Sequence, residues 1–206
     1  MSRLKLDIKK FFASVDHEIL LGLLRRKIKD EKVLWLLFQV IDSFYSGYGH
    51  DKGIPLGHLT SQVFANIYLN ELDQFMKQGL RMKYYIRYAD DFILLFCSND
   101  LNQWIKNIEQ FLWNQLKLKL HPKKIILKKL DWGIDFLGYV ILPHYLLPRT
   151  KTKRRIFKKL AVKLGSENFN QSLQSYLGYL SHANAYKVEQ ILKNQFMMRP
   201  TCWTGR

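Results

Sequence analysis

Lys83-Tyr84-Tyr85-Ile86-Arg87-Tyr88-Ala89-Asp90-Asp91-Phe92-Ile93-Leu94-Leu95-Phe96-Cys97 is the stretch that decides how this chain is read. Two strand-like runs, Lys83 to Tyr88 and Phe92 to Cys97, flank Ala89-Asp90-Asp91, the profile of a β-hairpin with carboxylates at its tip. An isolated Asp-Asp pair is ordinary turn chemistry, because Asp bonds its own backbone and tolerates tight turns. The apolar strands on either side change the reading. They hold Asp90 and Asp91 rigidly at a sheet edge rather than on a mobile loop.

Outward from the hairpin, Arg3 to Ile8 alternates charged and apolar residues and reads as a strand with Asp7 at its end. Ser14 and Asp16 are N-cap candidates for a helix from about His17 to Lys29, with Ile19, Leu20, Leu23 and Leu24 as its buried stripe. Asp30 caps a second helix to about Phe44. Gly47, Gly49, Gly53, Pro55 and Gly57 make Ser46 to Gly57 a loop. A helix follows from about Thr60 to Lys77, and another, capped by Asp100, runs to about Leu116. His121-Pro122 breaks the chain before short strands around Ile125 to Lys129 and Ile134 to Ile141. Helices before and between strands, with a hairpin in the middle, predict an α+β fold: an antiparallel sheet with helices packed on one face.

The composition shifts after Pro148. Phe136 to Ser166 holds no acidic residue, while Lys151, Lys153, Arg154, Arg155, Lys158 and Lys159 accumulate. Ile156, Phe157, Leu160, Ala161 and Leu164 recur at helical spacing through the same run, which predicts an amphipathic helix with a basic face. Helices around Gln171 to Ser181 and Ala185 to Met197 complete a separate helical subdomain. The expected division is 1–148 and 149–206.

Lys and Arg number 33 against 17 Asp and Glu, a formal charge of +16 on 206 residues. That balance points to a polyanionic partner, since phosphate backbones are neutralised by Lys and Arg. Nearly half the residues are hydrophobic, 48%, which excludes a disordered chain. Cys97 and Cys202 are too few for a disulfide framework, and neither has zinc-ligand spacing. The longest strongly apolar stretch, Val33 to Ile41, is far short of a membrane span. The start, Met-Ser-Arg-Leu-Lys-Leu-Asp, has no signal-peptide pattern, so a reduced cytoplasmic protein is expected.

Asp7, Asp90 and Asp91 on neighbouring strands are a hard-oxygen donor set suited to Mg2+, which takes carboxylates together with substrate phosphates. Here the sequence resembles a family. Ile86-Arg87-Tyr88-Ala89-Asp90-Asp91-Phe92 is similar to the catalytic hairpin of reverse transcriptases, and Leu6-Asp7-Ile8-Lys9-Lys10-Phe11-Phe12 to their first metal-binding motif. Gly53-Ile54-Pro55-Leu56-Gly57-His58-Leu59-Thr60-Ser61-Gln62 resembles the loop and helix start that cradle nucleotide and template. Phe136-Leu137-Gly138-Tyr139 resembles the primer-grip hairpin. The motifs stand in the family's order and cover essentially the whole chain.

The resemblance implies a palm followed by a helical thumb, performing RNA-directed DNA synthesis with two Mg2+ ions, for which Mn2+ can substitute. It implies Asp7, Asp90 and Asp91 as metal ligands, with Ile8 lending its carbonyl, and Leu56, Gly57 and Gln62 at the nucleotide. Phe12 matches the bulky residue that excludes the ribose 2′-hydroxyl; from the residues alone it reads equally as a core aromatic. Lys124 matches a lysine near the triphosphate that protonates pyrophosphate; from the residues alone it is a solvated lysine in a basic stretch. The implied partners are an RNA template, a DNA primer or RNA–DNA hybrid, and deoxynucleoside triphosphates, with Lys151, Lys153, Arg154, Arg155, Lys158 and Lys159 gripping phosphates.

Leu56 and the Ser61-Gln62 ending resemble reverse transcriptases of diversity-generating retroelements, which miscopy template adenines, where intron- and retron-type enzymes usually carry Gln and Ser-Pro; related bacterial reverse transcriptases share parts of the pattern. Only six residues precede Asp7. The family's fingers are therefore expected to be absent from these residues, supplied by a separate segment or accessory protein. The competing expectation is a nucleic-acid-binding remnant that cannot polymerise alone.

Overall fold

The computed structural model describes residues 2–44, 51–96 and 101–196. The chain forms two compact units, Met1–Lys128 and Lys129–Arg206.

The first unit is built on strands β1 (Ser2–Asp7), β2 (Tyr84–Tyr88), β3 (Asp91–Phe96) and β4 (Ile126–Lys129), in the order β2-β3-β1-β4. Both pairings of β3 are antiparallel, with Leu4 opposite Leu94 and Leu6 opposite Phe92 on β1, and Arg87 opposite Phe92 on β2. Alternation sends Leu4, Leu6, Phe92 and Leu94 to one face, where all four are fully buried. The other face carries Lys5, Asp7, Asp91, Ile86 and Tyr88. Helices cover the apolar face: α1 (Phe11–Ser14), α2 (His17–Lys27), α3 (Glu31–Asp42), α4 (Leu59–Gln74) and α5 (Leu101–Leu116). Asp16 caps α2 by accepting from Ile19 N, and Asp30 caps α3 by accepting from Lys32 N and Val33 N.

Helix α4 organises this core. Phe64, Ala65, Tyr68, Leu69 and Leu72 lie along its buried stripe. Tyr68 donates to Leu116 O at 2.7 Å and accepts from Asp16 N at 3.3 Å, joining the start of α2 to the end of α5. Burial pushes its phenol pKa up, so it stays a donor. The helix expected to run to Lys77 changes at Phe75 into a π-turn, Phe75–Gly79, with Met76 fully buried and Phe75 stacked on Phe111 at 4.1 Å. The wider turn is where that stack and Met76 burial are both met. Helix α1 left no periodicity to read because it is a single turn. The expected N-cap Asp100 and the end of the last helix at Met197 fall outside the described residues.

The second unit holds a three-stranded sheet, β5 (Ile134–Phe136), β6 (Tyr139–Ile141) and β7 (Leu146–Pro148), with helices α6 (Thr150–Lys163), α7 (Phe169–Ser181) and α8 (Tyr186–Phe196). The single strand read from the residue pattern over Ile134 to Ile141 is a hairpin, the shape that the resemblance at Phe136–Tyr139 implied. Leu137 and Gly138 both take positive φ, 51° and 89°, the backbone of a two-residue turn whose twist matches its strands.

The boundary falls near residue 128, twenty positions before the composition shift, because hydrogen bonds bind this sheet to the helices. Tyr139 Oη donates to Tyr179 O at 2.8 Å, Tyr179 Oη donates to Gly138 O at 2.7 Å, and Asn184 N donates to Leu146 O at 2.7 Å. Ile156, Leu160, Leu173, Leu180 and Leu192 form the helical core below. Tyr179→Phe should cost about 1 kcal/mol, since Gly138 O keeps Arg149 N–H and the ring stack on Tyr139 survives. Gly138→Ala should cost more, about 2 kcal/mol: its Cβ would meet Tyr179 Oη at 3.1 Å and its φ is left-handed. Urea unfolding of the two variants checks that order.

Candidate active site

Asp7 and Asp91 are direct partners across the β1–β3 ladder, so their side chains leave the same face of the sheet. Asp90 sits one residue back in the hairpin, after Ala89 at φ 50°, and its carbonyl accepts Ile8 N–H at 3.3 Å. The three acids therefore end two neighbouring strands, and backbone pairing rather than side-chain flexibility fixes their relative positions.

Asp7 is 6% exposed, and a charge that buried needs a partner. Lys124 supplies it, with Nζ 2.7 Å from Asp7 Oδ2. The two residues are 117 positions apart, and the chain brings them together by laying 119–121 beside 7–9: Lys9 N donates to Lys119 O at 2.9 Å and His121 N to Asp7 O at 2.8 Å. His121 then caps the single turn Pro122–Lys124, its Nδ1 accepting from Lys123 N. Lys5 Nζ stands 3.2 Å from Asp91 Oδ2. Among the described residues, no three His, Cys, Asp or Glu side chains are gathered as a metal cage; Asp7 and Asp91 each turn an oxygen to a lysine instead.

Asp90 is the electrostatically stressed member. Burial, then the charges of Asp7 and Asp91, push its carboxyl above the usual range, against its own backbone hydrogen bond and Lys124. Lys124 is held protonated first by its hydrogen bond to Asp7 and then by the three carboxylates. A half-buried cluster of acids with too few cations is a ready receptor for positive charge.

The loop from Gly53 is tied to the same end of the unit. Ile54 N donates to Phe12 O at 2.7 Å, Gly53 N to Val15 O at 2.8 Å, and buried His17 Nε2 lies 2.7 Å from Gly53 O. This brings Phe12 and the loop carrying Leu56 together. Phe12 is half-buried and packs edge-on against Phe11, so it is both a core contact and open on one side. Leu56 is 74% exposed, Gly57 takes φ 88°, and Gln62 is exposed on the first turn of α4. In the second unit, Phe136 is buried, Leu137 is exposed at the hairpin turn, and Tyr139 stacks on Tyr179. On α6, Lys151, Arg154, Arg155, Lys158 and Lys159 are exposed while Lys153 is half-buried.

One group was missed in the sequence. Arg87 faces the helices, only 9% of its side chain exposed, and makes two hydrogen bonds to Asp73 of α4 at 2.7 and 2.6 Å. Its third arm donates to Ala89 O at 3.1 Å, and Tyr85 Oη donates to Asp73 Oδ1 at 2.6 Å. The hairpin tip is thereby pinned to α4 immediately before Asp90. Alternation alone could have flagged it: Arg87 shares the face of Phe92, where a cation demands an acid.

A sheet of this order, helix-covered on one face and with acids at a hairpin tip on the other, is the fold of polymerase domains. Telomerase from Candida albicans, solved with a fragment of telomeric RNA, superposes with a TM-score of 0.59 at 14% identity, over 95% of this chain and 39% of that one. A foamy viral protease–reverse transcriptase, solved with an RNA/DNA hybrid, gives 0.51 at 16% identity, over 94% of this chain and 24% of that one.

The model of the family "Reverse transcriptase (RNA-dependent DNA polymerase)" matches residues 2–141, and the chain belongs to that family. Among curated relatives, the group II intron-encoded protein LtrA of Lactococcus lactis subsp. cremoris is 29% identical over 203 aligned residues, covering 66% of this chain and 34% of that protein. The putative COX1/OXI3 intron 2 protein of Saccharomyces cerevisiae is 22% identical over 217, covering 76% and 25%. The chain thus spans about a third or less of the length of these relatives. No helix among the described residues is long and apolar enough to cross a membrane.

Proposed function

We propose that this chain carries the nucleotidyl-transfer centre of an RNA-directed DNA polymerase, with Asp7, Asp90 and Asp91 as ligands of two divalent cations. The observation that carries the reading is the Asp7–Asp91 register, with Asp90 locked beside it through Ile8 N. The donor set fits the ions: three carboxylates are hard oxygens of the kind Mg2+ takes, with Mn2+ as an alternative, while Ile8 is fully buried and its carbonyl is left out of the set. The Lys124 and Lys5 ammonium groups at Asp7 and Asp91 mark where positive charge is already accepted. When bound, a cation pair lowers the pKa of the primer 3′-hydroxyl and stabilises charge on the triphosphate and departing pyrophosphate.

The chain's own residues position and protonate. Lys124 holds a proton on Nζ beside Asp7, a proton it can pass to pyrophosphate as that leaves. Phe12 presents its open side to the sugar, leaving no room for a 2′-hydroxyl. Phe12→Val should raise ribonucleotide use relative to deoxynucleotide use, measured by competitive incorporation. Gly57 and Gln62 belong with Leu56 at the nucleotide. The basic face of α6 and the Phe136–Tyr139 hairpin are assigned to the duplex backbone and primer end, consistent with two neighbours having been solved on RNA and on an RNA/DNA hybrid.

The same reading extends to the subgroup. Leu56 is exposed and apolar where a glutamine amide would offer hydrogen bonds to the nascent pair, so pairing is held less tightly, as in a diversity-generating retroelement. Leu56→Gln should lower misincorporation opposite template adenine several-fold, on the order of one hydrogen bond's worth, read by sequencing the products. The activity itself is tested by primer extension on an RNA template with a protein containing this segment. Template-dictated DNA product is expected; no extension in Mg2+ or Mn2+ would overturn the proposal.

A further inference from the structure

Trp113, near the end of α5, carries a 49% exposed indole set among lysines. Lys119 Nζ lies 4.6 Å from its ring centroid and Lys117 Nζ 5.9 Å. Two open clefts of about 350 and 330 Å³ adjoin it, and Lys9, Trp113 and Lys119 line both. Lys10, Lys52 and Lys117 extend the basic rim of the second cleft; Glu109 is on the first.

The backbone fixes this concentration of charge. Leu118 N donates to Leu112 O and Lys9 N to Lys119 O, each at 2.9 Å, so the strand leaving α5 folds back along the residues that follow Asp7. Clustered ammonium groups repel one another and are relieved by an anion. A flat aromatic surface among them adds a requirement that a bare anion does not meet. The chemistry that satisfies both is a nucleobase carrying phosphate: the base stacks on the indole and the phosphate oxygens take the lysines. An exposed cation–π contact is worth less than a stacked base. The base can therefore displace an ammonium from the ring and free it for phosphate.

We propose that Trp113, with Lys9, Lys117 and Lys119, forms a second nucleotide-recognition site beside the carboxylates, taking a free nucleoside triphosphate or a nucleotide of a single strand. It uses neither the acids nor a metal ion, so it stands or falls apart from the polymerase reading.

The test is titration calorimetry of the 206-residue chain in EDTA with ATP, with a 5′-phosphorylated oligothymidylate and with tripolyphosphate. ATP or the oligonucleotide should bind, and whichever binds more tightly identifies the source. Trp113→Leu should weaken that binding about tenfold or more and Trp113→Phe only slightly. Tripolyphosphate, charged but without a base, should bind about tenfold more weakly than ATP. Should Trp113→Leu not fold, Lys119→Gln carries the test, with weaker ATP or oligonucleotide binding and a shallower salt dependence expected. Affinity unchanged in folded Trp113→Leu or in Lys119→Gln, tripolyphosphate equal to ATP, or no binding by either nucleotide ligand overturns the proposal.

Discussion

Asp90→Asn should reduce primer extension by about 10³-fold or more while leaving primer–template affinity within a few-fold of the parent. The substitution keeps size and hydrogen-bonding shape and removes one negative charge from the acid cluster. Metal-borne stabilisation of transition-state charge is worth several kcal/mol, and a loss of about 4 kcal/mol is about 10³ in rate. Affinity for primer–template depends instead on phosphate contacts, the role proposed above for the exposed basic face of α6.

Folding should not suffer. Burial and the neighbouring acids raise the Asp90 pKa, so its ionised form opposes folding at pH values above the folded pKa, and that penalty fades as pH falls through it. The neutral amide removes the penalty, so Asp90→Asn should melt at or slightly above the parent temperature at neutral pH. Single-turnover extension, filter binding and a thermal melt on one preparation distinguish this from a variant that is merely unfolded.

Asp73→Ala should be the most destabilising single change, costing about 3–5 kcal/mol, a large part of the 5–15 kcal/mol that holds a domain together. Arg87 is nearly buried, and Asp73 answers its charge with two short hydrogen bonds. Without Asp73 the guanidinium is left desolvated and unpaired, and Tyr85 Oη also loses its acceptor. Replacing both partners with apolar residues, Asp73→Leu with Arg87→Met, should recover most of the stability, because no buried charge remains. Activity should not recover with it. The double variant has no donor for Ala89 O, so the tip bearing Asp90 is no longer pinned to α4. Urea unfolding gives the first quantity and primer extension the second; full activity in the double variant would reduce the clamp to a purely structural element.

Local pattern made the hairpin legible. Two runs of strand-forming residues around Ala89-Asp90-Asp91 placed two strands and a turn, borne out as far as Phe96, the last described residue there, and alternation along Arg3 to Ile8 put Asp7 at the end of a third. What the pattern could not supply was partnership across long separations. Nothing near Lys124 announces that residues 119–121 run beside 7–9, and nothing in the spacing of Asp73 and Arg87 marks an ion pair.

The compact units divide near residue 128 and not at the change of surface composition after Pro148, because hydrogen bonds from Tyr139 and Tyr179 join the small sheet to the helices. The π-turn at Phe75 answers to a ring in another helix, Phe111, and leaves no trace in local periodicity. Over Ile134 to Ile141 the residue pattern alone hid the turn, because Leu137, an apolar residue, occupies a left-handed position usually marked by Gly or Asn; the hairpin was implied only by the resemblance at Phe136–Tyr139.

The claim on which the rest depends is that Asp7, Asp90 and Asp91 together bind divalent cations. Titrating the chain with Mn2+ and following the free ion by electron paramagnetic resonance tests it without requiring synthesis. The parent chain is expected to take up Mn2+, to release it to excess Mg2+, and to lose that uptake in Asp7→Asn and in Asp90→Asn. Mn2+ binding of the same affinity and stoichiometry in the parent and both variants would contradict the account.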